Sequence, residues 1–354
     1  MTPGAHPGST SGVPVISSAY EAPWYLRNGH THTVYPALRR RVDGLVYSRE
    51  RLELEDGDFL DLDWSRVGGA GTALIAHGLE GSAQAGYVKG MARAFNRRGW
   101  NAVALNFRSC SGEPNRLLRL YHSGVSDDLH RAAAHVARAA GGGPVALVGF
   151  SLGGNVVLKL LGELGGEAPA WLAGGVAISV PCHLKASAVV MARPINRPYM
   201  KRFLGDLRSK LQAKIQQYPG RLSEEGYEEI ESFRQFDDRY TAPLHGFRDA
   251  EDYWARCSAV FLLDRIRRPA LLLNSEDDPF LASECFPAEL AARQEWFHLE
   301  VPRHGGHVGF VGKGLRPDEY YSERRALEFF GIEPLTARPE QPGGLESQGQ
   351  AVPP

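Results

Sequence analysis

The sequence predicts an α/β fold in which a mostly parallel sheet of eight strands is flanked by helices and carries an inserted helical cap. Helical patterns between the predicted strands indicate βαβ units with right-handed crossovers. The alternation stops over residues 181–264, and this interruption predicts the cap. The parallel strands are predicted from nearly continuous apolar runs, which are typical of strands buried on both faces, at residues 72–77, 101–107, 145–150, 175–180 and 270–274.

The chain begins with residues 1–19, which are rich in glycine, proline and serine and which we expect to be disordered. His30 and His32 follow in a stretch rich in tryptophan and tyrosine. Such a pair can bind a metal, but without a third clustered ligand a packed or capped segment is the simpler interpretation. Residues 51–64 then alternate apolar and polar side chains around Asp56-Gly57, which predicts an antiparallel hairpin with one face in water.

A sharp turn between a strand and a helix is the organising feature of the chain. Gly149-Phe-Ser-Leu-Gly153 has the pattern G-x-S-x-G between the apolar run 145–150 and a helical pattern over 155–164, which describes a nucleophile elbow. The turn strains the serine at its tip and presses strand and helix together, so the positions two before and two after it must be small. Gly149 and Gly153 satisfy this requirement, and Ser151 is the candidate nucleophile.

A serine hydroxyl needs a base within hydrogen-bond reach, and the base needs an orienting group. After an elbow serine, the acid and then the histidine follow in the chain, each on a loop after a strand. Asp278 follows the run 270–274 and is our candidate acid, with Asp277 as the alternative and Glu276 as the third choice. The predicted last strand precedes a glycine-rich loop, in which we favour His307 over His304 because glycines flank it.

The oxyanion of an acyl transfer needs fixed backbone donors. One donor is expected from the residue after the nucleophile, Leu152, and the other from the loop 77–81, where Leu79 is the candidate. His77 is expected to support that loop rather than to react.

The predicted cap at 181–264 contains many aromatic residues. This content indicates a lid that covers a substrate pocket, in preference to a surface excursion without contact to the site. The core is therefore predicted in two parts, residues 20–180 and 265–334. Residues 335–354 are rich in proline, glycine, glutamine and glutamate, and we expect a second disordered tail there.

Composition narrows the class of protein. The 354 residues carry a formal charge of −1, which argues against nucleic-acid binding, and no apolar run approaches a membrane span. The four cysteines are widely spaced and the N-terminus does not resemble a signal peptide, so we expect a cytoplasmic protein without stable membrane insertion. The oligomeric state is not indicated.

These motifs together resemble the α/β-hydrolase superfamily, and more narrowly its YheT-type branch, the AB hydrolase 4 family. The resemblance spans roughly residues 24–332 and is carried by His77-Gly-Leu-Glu-Gly81, Asn106-Phe-Arg-Ser-Cys-Ser-Gly112, Tyr121-His-Ser-Gly124, Gly149-Phe-Ser-Leu-Gly-Gly-Asn155, Phe236-Asp-Asp-Arg-Tyr-Thr-Ala-Pro-Leu-His-Gly-Phe247, Asp277-Asp-Pro-Phe280 and His304-Gly-Gly-His-Val-Gly-Phe310. One departure is Ser109, where the family usually has glycine.

The resemblance implies a serine hydrolase of carboxylic esters, either short-chain or monoacylglycerol-like, with the triad Ser151, Asp278 and His307. A small-molecule ester is then the expected substrate, and no metal or organic cofactor is required. Two alternatives are an acyltransferase that uses the same triad and a non-catalytic binding protein that retains the fold.

Overall fold

The computed structural model describes residues 15–313 and 319–333, which form one mixed sheet flanked by helices. The sheet has nine strands in the order β1-β9-β8-β7-β6-β4-β5-β3-β2. β3 is antiparallel to both of its neighbours, and every other pair is parallel. The strands are β1 (Val15–Ile16), β2 (Ser48–Glu53), β3 (Phe59–Ser65), β4 (Thr72–Ala76), β5 (Asn101–Asn106), β6 (Val145–Phe150), β7 (Leu172–Ile178), β8 (Ala270–Leu273) and β9 (Phe297–Glu300).

Helices cover both faces of the sheet. One apolar layer joins the sheet to α3 (Ser126–Ala139) and α4 (Leu152–Leu164), and the layer on the opposite face joins it to α2 (Gly86–Asn96) and α11 (Tyr321–Phe329). This arrangement confirms the predicted α/β class, because parallel strands need both faces covered. The helices are α1 (Gly29–Arg39), α2 (Gly86–Asn96), α3 (Ser126–Ala139), α4 (Leu152–Leu164), α5 (Leu184–Met191), α6 (Arg197–Gln217), α7 (Phe233–Phe236), α8 (Ala242–His245), α9 (Ala250–Cys257), α10 (Ala288–Ala291) and α11 (Tyr321–Phe329).

The ninth strand is a difference from the eight that the sequence predicts. β1 has two residues and pairs in parallel with β9 at the edge of the sheet, and so short an element leaves no pattern. It falls within the predicted tail 1–19, where Ser18 also donates a hydrogen bond to the buried Glu300 at 2.7 Å. Residues 1–14 of that tail and the whole tail 335–354 lie outside the described residues.

The hairpin of β2 and β3 is antiparallel, as predicted, but its second strand has no face in water. All seven residues of β3 are buried, including Asp61 and Asp63. Arg51 and Arg49 from the edge strand β2 cover these carboxylates, with Arg–Asp distances of 2.9 and 2.7 Å. The polar residues of the alternating pattern therefore form ion pairs within the protein instead of a solvated face.

The segment predicted as the cap contains α5 to α9. It builds an apolar cluster of its own, in which Met191, Leu204 and Phe236 pack with Phe280 from the loop after β8. Ala259 and Leu263, near its end, belong to the layer between the sheet and α4. This segment thus reaches the loops at the ends of the strands.

Candidate active site

Ser151 lies at the junction of β6 and α4 with φ 51° and ψ −118°, a backbone conformation that non-glycine residues rarely adopt. The close contact of strand and helix requires the neighbouring glycines. A Cβ on Gly149 would lie 2.4 Å from the carbonyl oxygen of Gly153, and a Cβ on Gly153 would lie 2.5 Å from that of Ala76. The turn therefore has the geometry that the sequence pattern predicts.

His307 and Asp278 meet at this serine. The Nε2 atom of His307 is 3.0 Å from Ser151 Oγ, and its Nδ1 atom is 2.8 Å from Asp278 Oδ2. The Asp278 side chain is fully buried, and its Oδ1 also accepts the backbone N–H of Phe280 at 2.9 Å. A carboxylate at Nδ1 favours the tautomer whose Nε2 accepts a proton.

Asp277 and His304, the alternatives left open by the sequence, form a separate pair beside this one. The Nδ1 atom of His304 is 3.2 Å from Asp277 Oδ2, while Asp277 Oδ1 accepts the N–H of Gly306 at 2.9 Å. Neither side chain is bonded to Ser151 or His307. Their contacts hold the loop on which His307 is carried.

Two residues that sequence reasoning missed also hold the His307 loop. Thr33 Oγ1 in α1 accepts the backbone N–H of His307, and Ser179 Oγ accepts that of Val308, both at 2.8 Å. They lie 274 and 129 residues from their partners, so no local pattern indicates them.

The loop after β4 passes directly beside Ser151, because a Cβ on Gly78 would lie 3.1 Å from Ser151 Cβ. The backbone N–H groups of Leu79 and Leu152 have no hydrogen-bond partner within residues 15–313 and 319–333. Both residues line the same cavity as Ser151 and His307. Leu152 is also the first residue of α4, where the helix dipole is positive.

His77 supports this loop and stays neutral. Its Nε2 accepts the N–H of Phe107 at 3.2 Å, so Nδ1 carries the proton that is donated to the Gly78 carbonyl at 2.7 Å. Burial lowers the pKa of His77 to about 3. The structure thus gives His77 the supporting position that the sequence suggests.

The cavity beside Ser151 has a volume of about 140 Å³ and is lined mainly by apolar side chains of the segment between β7 and β8. They include Leu184, Met191, Phe203, Leu207, Phe233, Phe236, Tyr240 and Trp254. Phe280 closes the side next to His307, with the two rings 4.3 Å apart. An apolar group bound here would be shielded from water.

A largely buried ion pair joins α6 to the loop that follows β4. Lys210 Nζ is 3.1 Å from Glu80 Oε1 and 2.8 Å from Cys110 Sγ, and the Tyr121 hydroxyl binds both the carboxylate and the N–H of Glu80 at 2.7 Å. Burial alone would lower the pKa of Lys210, but Cys110 and Glu80 outweigh it and raise the pKa above its ordinary value. Glu80 directly follows Leu79, so this cluster fixes the chain next to that N–H group.

Asp237 also lines the cavity, and sequence reasoning did not identify it as a site residue. Burial raises its pKa to about 7, against the partial compensation of hydrogen bonds from Thr241 and Trp254 at 2.6 and 2.9 Å. It lies in a π-helical turn, Asp237–Thr241, which the sequence does not reveal.

His32, one of the two histidines considered for metal binding, is packed. Its Nε2 accepts the N–H of Val311 at 3.0 Å, and burial lowers its pKa to about 4. His30 instead contacts the Tyr199 hydroxyl at 3.2 Å. Within the described ranges, no three His, Cys, Asp or Glu side chains are arranged to hold a metal ion.

Ser109, the departure from the family pattern, has φ 63°, which explains why glycine is usual there. Its hydroxyl donates to Asn115 Oδ1 at 2.6 Å and accepts the Asn115 N–H at 3.0 Å. These bonds hold a serine in a conformation that favours glycine.

The chain is similar in sequence to known α/β hydrolases. Residues 73–323 match the sequence pattern of the Alpha/beta hydrolase family. The chain is 38% identical to the Escherichia coli (strain K12) protein named "Putative esterase YheT", over 84% of this chain and 88% of that protein. It is 26% identical to phospholipase ABHD3 of Mus musculus, over 89% of this chain and 79% of that protein.

The fold is also that of a solved esterase. The crystal structure of the Pyrococcus furiosus esterase Pf2001 superposes with a TM-score of 0.53 at 18% identity, over 82% of this chain and 96% of that one. At this identity the likeness concerns the fold alone.

Proposed function

The chain belongs to the YheT-type branch of the α/β-hydrolase family, and on this premise we propose that it hydrolyses carboxylic esters with Ser151, His307 and Asp278 as its catalytic triad. The observation that carries the proposal is the continuous chain of hydrogen-bond distances, 3.0 Å from Ser151 Oγ to His307 and 2.8 Å from His307 to Asp278. The names of the relatives, an esterase and a phospholipase, support an ester as the substrate.

In the proposed reaction, His307 Nε2 removes the proton of Ser151 Oγ as the oxygen attacks the ester carbonyl. The backbone N–H groups of Leu79 and Leu152 bind the oxyanion, for which they are free of other partners among the described residues. His307 returns the proton to the departing alcohol, and a water molecule activated by the same nitrogen then releases the acid from Ser151. Asp278 keeps the imidazole in its working tautomer throughout.

The cavity points to a short acyl chain. Its volume of about 140 Å³ is below the roughly 300–1,000 Å³ of sites that hold drug-sized ligands. We propose that residues 181–264 act as a cap that supplies the apolar wall of this site, and that short-chain esters or small acylglycerols are the substrates.

We further propose a cytoplasmic location. Cys110, Cys182, Cys257 and Cys285 are all free thiols, as expected in a reducing compartment. Among the described helices, none combines the length and the apolar character needed to cross a bilayer.

The experiment that tests the function is a panel of p-nitrophenyl esters graded by acyl length, assayed with the wild-type protein and Ser151→Ala in parallel. We expect the highest kcat/KM for the shortest chains and a loss of at least ~10³-fold in kcat with Ser151→Ala. Retention of most of the activity by that variant would exclude Ser151 as the nucleophile. A preference for long chains would instead reject only the proposed acyl site.

A further inference from the structure

Exposed apolar side chains are concentrated near the N-terminus of the described chain. Of the eleven large hydrophobic side chains exposed in the described residues, five lie between residues 24 and 38: Trp24, Tyr25, Val34, Tyr35 and Leu38. Trp24 and Leu38 are 81% and 78% exposed. Single exposed apolar residues are ordinary, but a cluster of this kind marks an interaction surface.

These five side chains form one face. The ring of Tyr25 lies 5.7 Å from that of Trp24 and 6.3 Å from that of Tyr35. Val34 and Leu38 are four residues apart in α1 and therefore share its surface. The buried residues of α1, namely Gly29, His32 and Pro36, lie on the opposite side of the helix.

Three arginines lie next to these apolar residues in the sequence. Arg27, Arg39 and Arg41 are exposed, and none of them forms an ion pair within the described part of the chain. Within residues 20–45 of the sequence, the acidic residues are Glu21, which pairs with Lys313 at 3.4 Å, and Asp43. The charge is local, because the whole chain carries a formal charge of −1.

Arg40 lies between Arg39 and Arg41 in the sequence but differs from both in its contacts. The side chain of Arg40 is buried, forms an ion pair with Glu323 and packs over the Tyr320 ring at 3.6 Å. It anchors the end of α1 to α11, so the two exposed arginines beside it are presented on a fixed support.

We propose that this aromatic–arginine face, formed by the five apolar residues and Arg27, Arg39 and Arg41, is a docking surface for anionic phospholipid membranes. Tryptophan and tyrosine are enriched at the headgroup level of bilayers, and exposed arginines are attracted by anionic lipid. The surface suits reversible binding in the plane of the headgroups, without a membrane-spanning helix.

Charge argues against two other occupants of the face. A symmetric pair of copies would bring two sets of three exposed arginines into one interface, which concentrates charge of one sign there. Residues 1–14 contain no acidic residue, so that segment offers no charge to complement the arginines. An anionic lipid surface complements both the charge and the amphipathic rings.

The same helix connects the face to the candidate active site. On its buried side, a Cβ on Gly29 would lie 1.7 Å from the Asp277 carbonyl oxygen, and Thr33 binds the His307 N–H at 2.8 Å. One helix diameter, ~10 Å, therefore separates the docking face from the loops of the site. Docking would hold that site close to the lipid surface.

Co-sedimentation with vesicles tests this proposal without relying on hydrolysis. The wild-type protein should bind vesicles of equimolar phosphatidylcholine and phosphatidylglycerol more tightly than vesicles of phosphatidylcholine alone. Binding should weaken between ~0.1 and ~1 M salt, where the Debye length falls from about 10 to about 3 Å. Trp24→Ser with Leu38→Ser should lower the partition coefficient at least ~10-fold, because both side chains lose the burial in lipid.

Arg27→Gln, Arg39→Gln and Arg41→Gln together should remove the preference for anionic vesicles. A matched control replaces Val67 and Phe261, which are 48% and 57% exposed elsewhere, by serine and should bind like wild type. Thermal unfolding of the variants at the wild-type temperature should show that they are folded.

Three kinds of result would overturn the proposal. The first is a failure of binding through this face, seen either as equal binding by the Trp24/Leu38 variant or as no wild-type binding to either vesicle. The second is a wild-type dimer that this variant converts to monomer, which would assign the face to a second copy. The third is vesicle binding that begins only after residues 1–14 are removed, which would show that this segment is the occupant of the face.

Discussion

The two adjacent aspartates after β8 provide a matched test of the triad, because each is paired with its own histidine. In Asp278→Asn, the carboxylate that lies 2.8 and 3.1 Å from His307 Nδ1 becomes a neutral amide. The amide can face Nδ1 with its NH₂ group only if the imidazole moves its proton to Nε2. That tautomer cannot accept the proton of Ser151.

The expected loss in kcat is large because the Asp278 side chain is completely buried and water cannot replace it. The corresponding change in the serine-protease triad lowers kcat by ~10⁴, which equals about 5.5 kcal/mol of transition-state stabilisation. We expect a loss of the same order here. Asp278 also accepts the Phe280 N–H, a bond that the amide oxygen can keep, so the fold should persist.

The control is Asp277→Asn, which alters a carboxylate bonded to His304 and to the Gly306 N–H but not to His307. We expect it to lower kcat by less than ~10-fold through a looser loop. The assay is steady-state hydrolysis of a short-chain ester, with thermal unfolding to verify folding. Equal losses in both variants, or a kcat for Asp278→Asn above a tenth of wild type, would refute the assignment of Asp278.

Three further changes test the strain, the buried ion pair and the buried acid. Ser151→Gly should unfold at a higher temperature than Ser151→Ala, with a gain of about 1 kcal/mol, because glycine relieves the strain of φ 51°; equal stability would mean that the turn is unstrained. Lys210→Met should lower kcat about 10-fold with little change in KM, because Glu80 then no longer holds the loop of Leu79. Complete loss of one oxyanion donor lowers the rate ~10²–10³-fold. Lys210→Arg should retain most of the rate, and an unchanged kcat in Lys210→Met would show that the ion pair does not contribute to catalysis. Burial raises the pKa of Asp237 from 3.8 to about 7, so the folded protein binds more protons than the unfolded chain between these two pH values. The free energy of unfolding should therefore fall as the pH rises through this range, by up to about 1.4 kcal/mol per pH unit. Asp237→Asn should remove this slope in denaturant titrations, and parallel pH dependences for wild type and variant would contradict the argument.

The parts of the site that follow strands could be predicted from local patterns. Ser151 directly follows an apolar run and lies two residues from Gly149 and Gly153. Asp278 and His307 each lie four to six residues beyond an apolar run, beside a proline and a glycine respectively, and these signals indicate where a loop leaves the sheet. The choice between Asp278 and Asp277 is finer, because adjacent residues on a loop point in different directions and only the folded loop decides which one meets His307.

The remaining parts depend on contacts between distant segments. Thr33 holds the His307 loop across 274 residues, and Lys210 reaches Glu80 from a helix whose charged face resembles a solvated one. β3 shows the same limit, since Asp61 and Asp63 alternate like exposed residues and yet are covered by Arg51 and Arg49. A period of two predicts the strand, but it does not tell which polar residues find partners.

The central claim is that Ser151 is a nucleophile activated by His307, and covalent labelling tests it most directly. The folded protein is treated with a fluorophosphonate probe, and the modified peptide is identified by mass spectrometry. We predict a single adduct on the peptide that contains Ser151, absent in Ser151→Ala and formed at least ~10²-fold more slowly in His307→Ala. Folded wild-type protein that stays unlabelled, or an adduct on another residue, would contradict the account.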